Sequence, residues 1–278
     1  MSNLQNAYAN LSDFKAYAVP RGQASEPDVT DDGVIQDLLN AASRYIDAET
    51  RKIFYPQYQS VLFDIPDDNT LYLDDDLLEI TELLNGDDTV IASSAYILQG
   101  RTPPYWKLSI RSNSTVTWED DASGNAQQVI DLRGFWGRHE KYSVAWEQVG
   151  TLSAAITDTT TLAFSATSGH SIVAGNILKI GTELYNVVTA ATNVITPIRR
   201  GDNGSTAATH LISVPIYAWR PMEGARMSTL EIANSAYKRR FGQSTGDSAT
   251  ITAAGVVLTP RDIPATAQAF IQSQVTLV

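Results

Sequence analysis

The chain has 278 residues, enough for one large or two modest domains, and no cysteine, which excludes disulfides, thiol catalysis and thiolate metal sites. No apolar run approaches the roughly 18 residues of a membrane helix, and MSNLQNAYANLSDF has no basic patch ahead of an apolar stretch, so neither a membrane span nor a secretory signal is expected. The net charge of −11 sits mainly in residues 1–148, with 24 acidic against 11 basic side chains; residues 149–217 carry three of each and 218–278 carry six basic against four acidic, a balance that repels nucleic-acid phosphates and argues against a DNA-reading protein.

The first predicted element is a short helix at LSDFKAYA, with Ser12 as its cap. After a loop at VPRGQASEPDV, a strong helix follows in TDDGVIQDLLNAASRYIDAETRKIF. There Val34, Ile35, Leu38, Leu39, Ala42, Tyr45, Ile46 and Ile53 recur at helical spacing. Thr30 is its expected N-cap. Asp31 and Asp32 suit the positive end of the helix dipole, and Arg51 and Lys52 the negative end.

From Tyr58 to about Trp146 the texture turns to short β-like runs: QSVLFDI, TLYL, SAYILQ, WKLSI, TVTWE, QQVIDLRGFW and YSVAW. Turn signals separate them at Pro66–Asn69, Asn85–Asp88, Pro103-Pro104 and Ser123–Asn125. Residues 149–217 are rich in threonine and alanine and nearly free of charge. Strands are expected at TLAF, NILKI, LYNVV, NVITPI and SVPIYAW, enough to close a small β-barrel or sandwich.

Helix returns in MEGARMSTLEIANSAYKRRFG. Met227, Leu230, Ala233, Tyr237 and Phe241 share a face, and Gly242 is the stop. A hairpin at SATITAAGVVL turns near Ala253-Ala254-Gly255, and a last helix starts around IPATAQAFIQSQ, with Pro264 in its first turn. The expected fold is α+β. A small helical bundle with antiparallel strands spans 1–148 and 218–278, and an all-β barrel or sandwich module is inserted at 149–217.

Candidate chemistry is sparse. His139, His170 and His210 are far apart, no HExxH or GxSxG pattern occurs, and ordinary surface or turn positions are expected for all three. Asp67, Asp68, Asp74, Asp75 and Asp76 could supply oxygen ligands to calcium, but their spacing is not that of an EF-hand loop, and solvated carboxylates between strands are the simpler reading. Lys238, Arg239 and Arg240 either complement the end of a helix or form a candidate contact with an acidic partner. RRGDNGSTAATH contains Arg200-Gly201-Asp202, a cell-adhesion tripeptide, yet Asp202-Asn203-Gly204 reads as a turn, and the stretch lacks the lysine of a phosphate loop.

Several stretches form an ordered series: ANLSDFKAYA, VIQDLLNAASRYIDAETRKIFYP, LYLDDDLLEITELLNGDD, YILQGRTPPYWKLSI and IDLRGFWG, closed by PRDIPATAQAFI. The series resembles the head–tail connector (adaptor or head-completion) proteins of tailed bacteriophages. The features that carry the resemblance are the Phe54-Tyr55-Pro56 exit from the long helix, the acidic segment ending in Asn-Gly-Asp, and Gly134-Phe135-Trp136-Gly137. Gly181-Thr182-Glu183 followed by Arg200-Gly201-x-x-Gly204-Ser205-x-Ala207-Ala208-x-His210 is similar to a β-module of phage structural proteins, which makes the RGD an accident of that pattern. The last helix departs from the family by ending in QSQVTLV, without a basic or aromatic finish.

The resemblance implies a non-enzymatic virion protein, made in the bacterial host cytoplasm and placed in the neck at the head–tail junction. Such proteins assemble with themselves into a ring, usually twelve-fold. The ring sits between the portal protein and the tail, stopper or tail-terminator protein and extends the DNA channel. No cofactor and no membrane partner are implied, and double-stranded DNA passes without sequence-specific binding. Asp74, Asp75, Asp76, Asp87 and Asp88 are candidates for a channel lining that DNA slides past. The competing expectations are a tail or baseplate component whose β-module binds a host receptor or glycan, and a cell-wall hydrolase.

Overall fold

The computed structural model describes residues 3–18, 29–100, 102–240, 251–252, 255–256 and 263–275. Among these residues the protein is α+β, with four α-helices, one five-stranded and one six-stranded antiparallel sheet, and a short two-stranded hairpin. Two compact units are present: Met1–Tyr55, Trp146–Asp202 and Thr206–Val278 form one, and Pro56–Ala145 with Asn203–Ser205 the other. Composition puts boundaries at 148/149 and 217/218. Compactness instead groups the helices with the six-stranded sheet and sets residues 56–145 apart.

In the first unit, α1 spans Leu11–Ala18. Its cap is Asn10 rather than Ser12: Asn10 Oδ1 accepts from the Asp13 amide at 2.8 Å and from Ser12 Oγ at 2.7 Å, while Asp13 Oδ2 accepts from the Asn10 amide at 3.3 Å. This is a reciprocal capping box, and it places Ser12 inside the helix. The long helix α2 spans Asp32–Thr50, preceded by a 3-10 turn at Val29–Asp31 that takes in Thr30. The N-cap position therefore falls on Asp31, which makes no side-chain cap bond. Thr50 ends the helix by donating to the Ile46 carbonyl and accepting from the Lys52 amide, and Arg51 turns left-handed at φ 53°.

Ile35, Leu38, Leu39, Ala42 and Ile46 of α2 are buried against Leu230, Ile232, Ala233 and Ala236 of α3 (Glu223–Arg240) and Ala267 and Ile271 of α4 (Ala265–Gln274). The helices supply each other's missing apolar faces, as expected for amphipathic elements too short to stand alone. Pro264 is the N-cap of α4 rather than a first-turn residue. Phe241, Gly242 and the Ala253-Ala254 turn lie outside the described residues. The hairpin itself is present, with β12 (Ile251–Thr252) paired to β13 (Gly255–Val256).

The second unit holds β1 (Gln57–Phe63), β2 (Thr70–Leu84), β3 (Tyr96–Gln99), β4 (Tyr105–Ile110) and β5 (Ile130–Trp136), in the order β1-β5-β2-β4-β3. Asp74–Asp76, expected as carboxylates between strands, lie inside β2, while Asp67 and Asp68 stay in the turn before it. β2 pairs with β4 over Thr70–Tyr72, then shifts register across Asp74–Asp76 and continues against β5 from Leu77. Leu71, Leu73, Leu77 and Leu83 hold it to a core with Leu108, Ile110, Ile130, Leu132 and Trp136. TVTWE forms no strand. Its backbone is held by a side chain instead, with Asn85 Nδ2 donating to the Thr117 carbonyl and Asn85 Oδ1 accepting from the Glu119 amide.

YSVAW divides into a 3-10 turn at Tyr142–Val144 and the start of β6 (Trp146–Thr151). β6 joins the six-stranded sheet of the first unit with β7 (Phe164–Ser165), β8 (Ile177–Ile180), β9 (Glu183–Ala191), β10 (Val194–Pro197) and β11 (Pro215–Trp219). The order is β6-β11-β8-β9-β10-β7 around a core of Leu152, Phe164, Leu178, Ile180, Tyr185, Val187, Ile195 and Ile216. Of the expected barrel or sandwich, a closed barrel does not form; the strands make one six-stranded antiparallel sheet. β6 and β7 do not pair as strands; their ends are joined by the isolated Leu152–Ala166 bridge and by hydrogen bonds from the Ser153 amide to the Ser165 carbonyl and from the Thr167 amide to the Thr151 carbonyl, both at 2.9 Å.

Gly134 is the tightest point of the five-stranded sheet, because a Cβ there would lie 2.1 Å from the Glu79 carbonyl oxygen. Backbone on a paired strand cannot move aside as a side chain can. Gly134→Ala is expected to destabilise the protein by about 1–3 kcal/mol, the usual range for overpacking, read as a lower urea midpoint. An unchanged midpoint would contradict the packing described for β2 and β5.

Candidate functional site

The most organised polar cluster gathers around Glu183. β8 and β9 are joined by Gly181-Thr182, with Gly181 left-handed at φ 61°, so that Glu183 opens β9 opposite Ile180. Its side chain is fully buried. The Arg200 guanidinium grips it as a fork, Nε to Oε1 at 2.8 Å and Nη2 to Oε2 at 3.0 Å. The Gly201 amide donates to Oε1 and the Ala208 amide to Oε2, each at 2.9 Å. His210 Nε2 lies 2.9 Å from Oε2, and because a carboxylate only accepts, that nitrogen carries the hydrogen.

The remaining guanidinium donors are also used. Arg200 Nη1 reaches the carbonyls of Asp158 and Thr161, and Nη2 that of Ala208. Burial pushes the Glu183 carboxyl up, but the hydrogen bonds from His210, Arg200 and Ala208 outweigh it and hold the group well below the usual carboxylate range.

A second buried carboxylate adjoins the first. Asp202 is fully buried, and its Oδ1 accepts from Arg199 Nε at 2.7 Å and Nη2 at 2.6 Å. Asn186 Nδ2 donates to Asp202 Oδ2 at 2.7 Å and to Asn6 Oδ1 at 2.9 Å, while Asn186 Oδ1 accepts from the Asn6 amide. The RGD tripeptide is thus turned inward: the Arg200 side chain is 4% exposed and that of Asp202 is 0% exposed. The turn itself has the conformation expected for it, with Asn203 at φ 49° and Gly204 at φ 81°.

The structure separates the remaining candidates. Asp74 and Asp75 are exposed in the register shift of β2, while Asp76 is half-buried and paired to Arg138 at 3.2 Å. Asp87 and Asp88 are exposed in the turn after β2, where Asp87 accepts from the Thr89 hydroxyl and amide, bonds that lower its carboxyl below the ordinary value. All five lie in the second unit, which carries 15 Asp and Glu against 6 Lys and Arg, a net −9 of the chain's −11. Asp68 accepts from the Thr70 amide as a turn residue. Among the described residues no three or more His, Asp or Glu side chains come together in a way that could hold a metal ion. Lys238, Arg239 and Arg240 form the last turn of α3, with Lys238 and Arg240 exposed.

The histidines are not all surface residues. His210 belongs to the clamp, and His139 is buried, with Nδ1 accepting from the Lys141 amide. His170 is tied to the Thr192 carbonyl. A polar cleft of about 350 Å³ lies elsewhere in the first unit, bordered by Asn10, Asn176, Trp219, Arg220 and Arg226. Its cations are already engaged, Arg220 by Glu147 and Arg226 by Glu223 and Asp13. Sequence reading missed Asn6, Asn186 and the pairing role of His210. The available signal was charge parity: an almost uncharged module carries three acids and three bases, the composition of internal pairing.

Comparison with protein-family models and with curated proteins finds no match for this chain. No helix among the described residues is long and apolar enough to cross a membrane.

Removing one member of a buried ion pair leaves the other uncompensated. Glu183→Gln is therefore expected to cost about 3–5 kcal/mol in denaturant unfolding. The folded carboxyl titrates below the unfolded range near about 4.3, so its contribution is complete above that range and is lost as pH falls. The gap between wild type and variant should narrow below about pH 4. A gap independent of pH would contradict the clamp.

Proposed function

We propose that this chain is a structural protein of the tailed-phage virion, a connector that forms a ring between the portal and the tail or stopper protein. The observation that carries this reading is the fate of the Arg-Gly-x-x-Gly signature. Arg200, Gly201, Ala208 and His210 all donate to the buried Glu183, so the residues that carry the likeness to phage β-modules are committed to holding that module together. A motif engaged internally suits a static building block better than a recognition loop.

The charge distribution supports the same reading. Asp74, Asp75, Asp87 and Asp88 are exposed on a unit of net −9, and a ring of such surfaces would let DNA slide without adhering. The competing idea, a tail or baseplate component reading a host receptor or glycan through the β-module, loses the buried Arg200–Asp202 tripeptide as its recognition element.

Whole phage particles labelled with gold-tagged antibody to this chain provide the test. Gold at the head–tail junction is expected. Gold at the distal tail would overturn the connector reading and favour receptor binding.

A further inference from the structure

The edges of the five-stranded sheet are β1 and β3, and each pairs on one side only. An edge strand presents a row of backbone donors and acceptors, and folded chains blunt it with charge, proline or a bulge. Neither edge here is blunted. β1 reads QYQSVLF and β3 reads YILQ, with no charged residue and no proline, and both keep an unbroken register. The charges of the sheet sit on its inner strands instead: Asp74–Asp76, Glu79 and Glu82 on β2, Lys107 on β4, and Asp131 and Arg133 on β5.

Backbone alternation fixes which groups face outward. The Tyr58 amide donates to the Asn203 carbonyl, away from β5, so the amides and carbonyls of Ser60 and Leu62 point the same way. The Ala95 carbonyl, just before β3, accepts from the Arg111 amide, and the Ile110 amide, opposite Tyr96, turns to the Asn69 carbonyl on the β2 side. The amides and carbonyls of Tyr96 and Leu98 therefore point away from β4. Among the described residues, none bonds to these outward groups of Ser60, Leu62, Tyr96 and Leu98. The side chains beside them are open to solvent: Ser60 is exposed, Leu62 is 52% exposed and Ile97 is 42% exposed. Val61, Phe63, Tyr96 and Leu98 pack into the core of the sheet, so Leu62 and Ile97 share its opposite face.

The two edges fit each other. Every neighbouring pair in the sheet is antiparallel, and four such steps separate β1 from β3, so these two strands run parallel. We propose that β3 of one copy pairs in parallel with β1 of a second copy and extends the sheet from chain to chain. With Ile97 of one copy beside Leu62 of the other, the Leu62 amide donates to the Tyr96 carbonyl, the Leu98 amide to the Leu62 carbonyl and the Tyr96 amide to the Ser60 carbonyl, the slanted ladder of a parallel pair. The same register lays the two exposed aliphatic side chains against each other. A foreign strand would answer one edge, whereas a second copy answers both. Because the joined surfaces differ, the contact propagates into a closed ring or a filament. The proposal rests on the connector reading for its biological setting, but the contact itself is tested separately.

The absence of cysteine makes an introduced thiol unique. Leu62→Cys chains with one affinity tag are mixed at high protein concentration with Ile97→Cys chains bearing another, and oxidised. Strands about 4.8 Å apart bring these two positions within disulfide reach. The disulfide carrying both tags is expected to exceed either like-with-like product by about tenfold. Ser60→Cys in place of Leu62→Cys moves the thiol two residues out of register, to roughly 8 Å, and should lower the yield about tenfold. Unchanged urea midpoints of these variants separate that loss from misfolding. A chain carrying both Leu62→Cys and Ile97→Cys should give a ladder of linked oligomers, because its own thiols lie four strand spacings, roughly 19 Å, apart.

Equal yields of the three disulfides, an excess of a like-with-like product, or a yield indifferent to the Ser60→Cys shift overturns the proposal. Rings seen by electron microscopy without this disulfide would overturn the contact and leave the connector reading standing. The oligomer ladder with gold absent from the neck would support the contact and remove that reading.

Discussion

A carboxylate with no access to water is tolerated only when every lone pair is answered, and Glu183 meets that condition with five donors from four residues. The consequence reaches beyond the side chain. The donors come from both ends of the single connection between β10 and β11, so satisfying one buried charge fixes that connection at two points against the start of β9. Hydrophobic packing gives the six-stranded sheet its core, but packing is non-directional. The clamp sets where the irregular segments run.

From that point the polar order continues as a chain. Asp202, next to the clamp's glycine, is held by Arg199 and Asn186, Asn186 exchanges two bonds with Asn6, and the Asn6 carbonyl accepts from Arg44 of α2. Asn6 is left-handed at φ 53°, a conformation asparagine adopts more readily than most residues. Two residues on, the Tyr8 amide donates to Ser43, and the Tyr8 hydroxyl donates to Asp47 while accepting from the Phe54 amide. The N-terminal segment therefore stitches sheet to helix. This explains why the Thr-rich block shares a compact unit with helices whose composition is so different.

What was legible in the sequence follows periodicity. The α2 stripe, the bounds of α1 and most strands of residues 149–217 were readable because apolar spacing and turn residues are local signals. The length of β2 was not, because Asp74–Asp76 reads as a loop when the leucines that hold it meet partners up to about sixty residues away. TVTWE has strand composition, but its pairing partner is the Asn85 side chain, which no periodicity records. Caps were misplaced by one or two positions because neighbouring Asn, Ser, Thr and Asp compete for the same amides. The turn at Asp202–Gly204 was legible from Asn and Gly alone. The burial of Arg200 and Asp202 was not, since it depends on Glu183, Asn186 and Asn6 arriving from distant strands and loops.

On the proposed connector reading, function would be placement: the pairing residues of the Glu183 clamp face inward, and the exposed carboxylates of the net −9 unit would line the DNA path. The most direct test is a three-dimensional reconstruction of the head–tail junction at a resolution that traces this chain. The account predicts a ring of copies with Asp74, Asp75, Asp87 and Asp88 on the inner wall, facing DNA. Those residues on the outer rim, or no density for the chain in the neck, would contradict it.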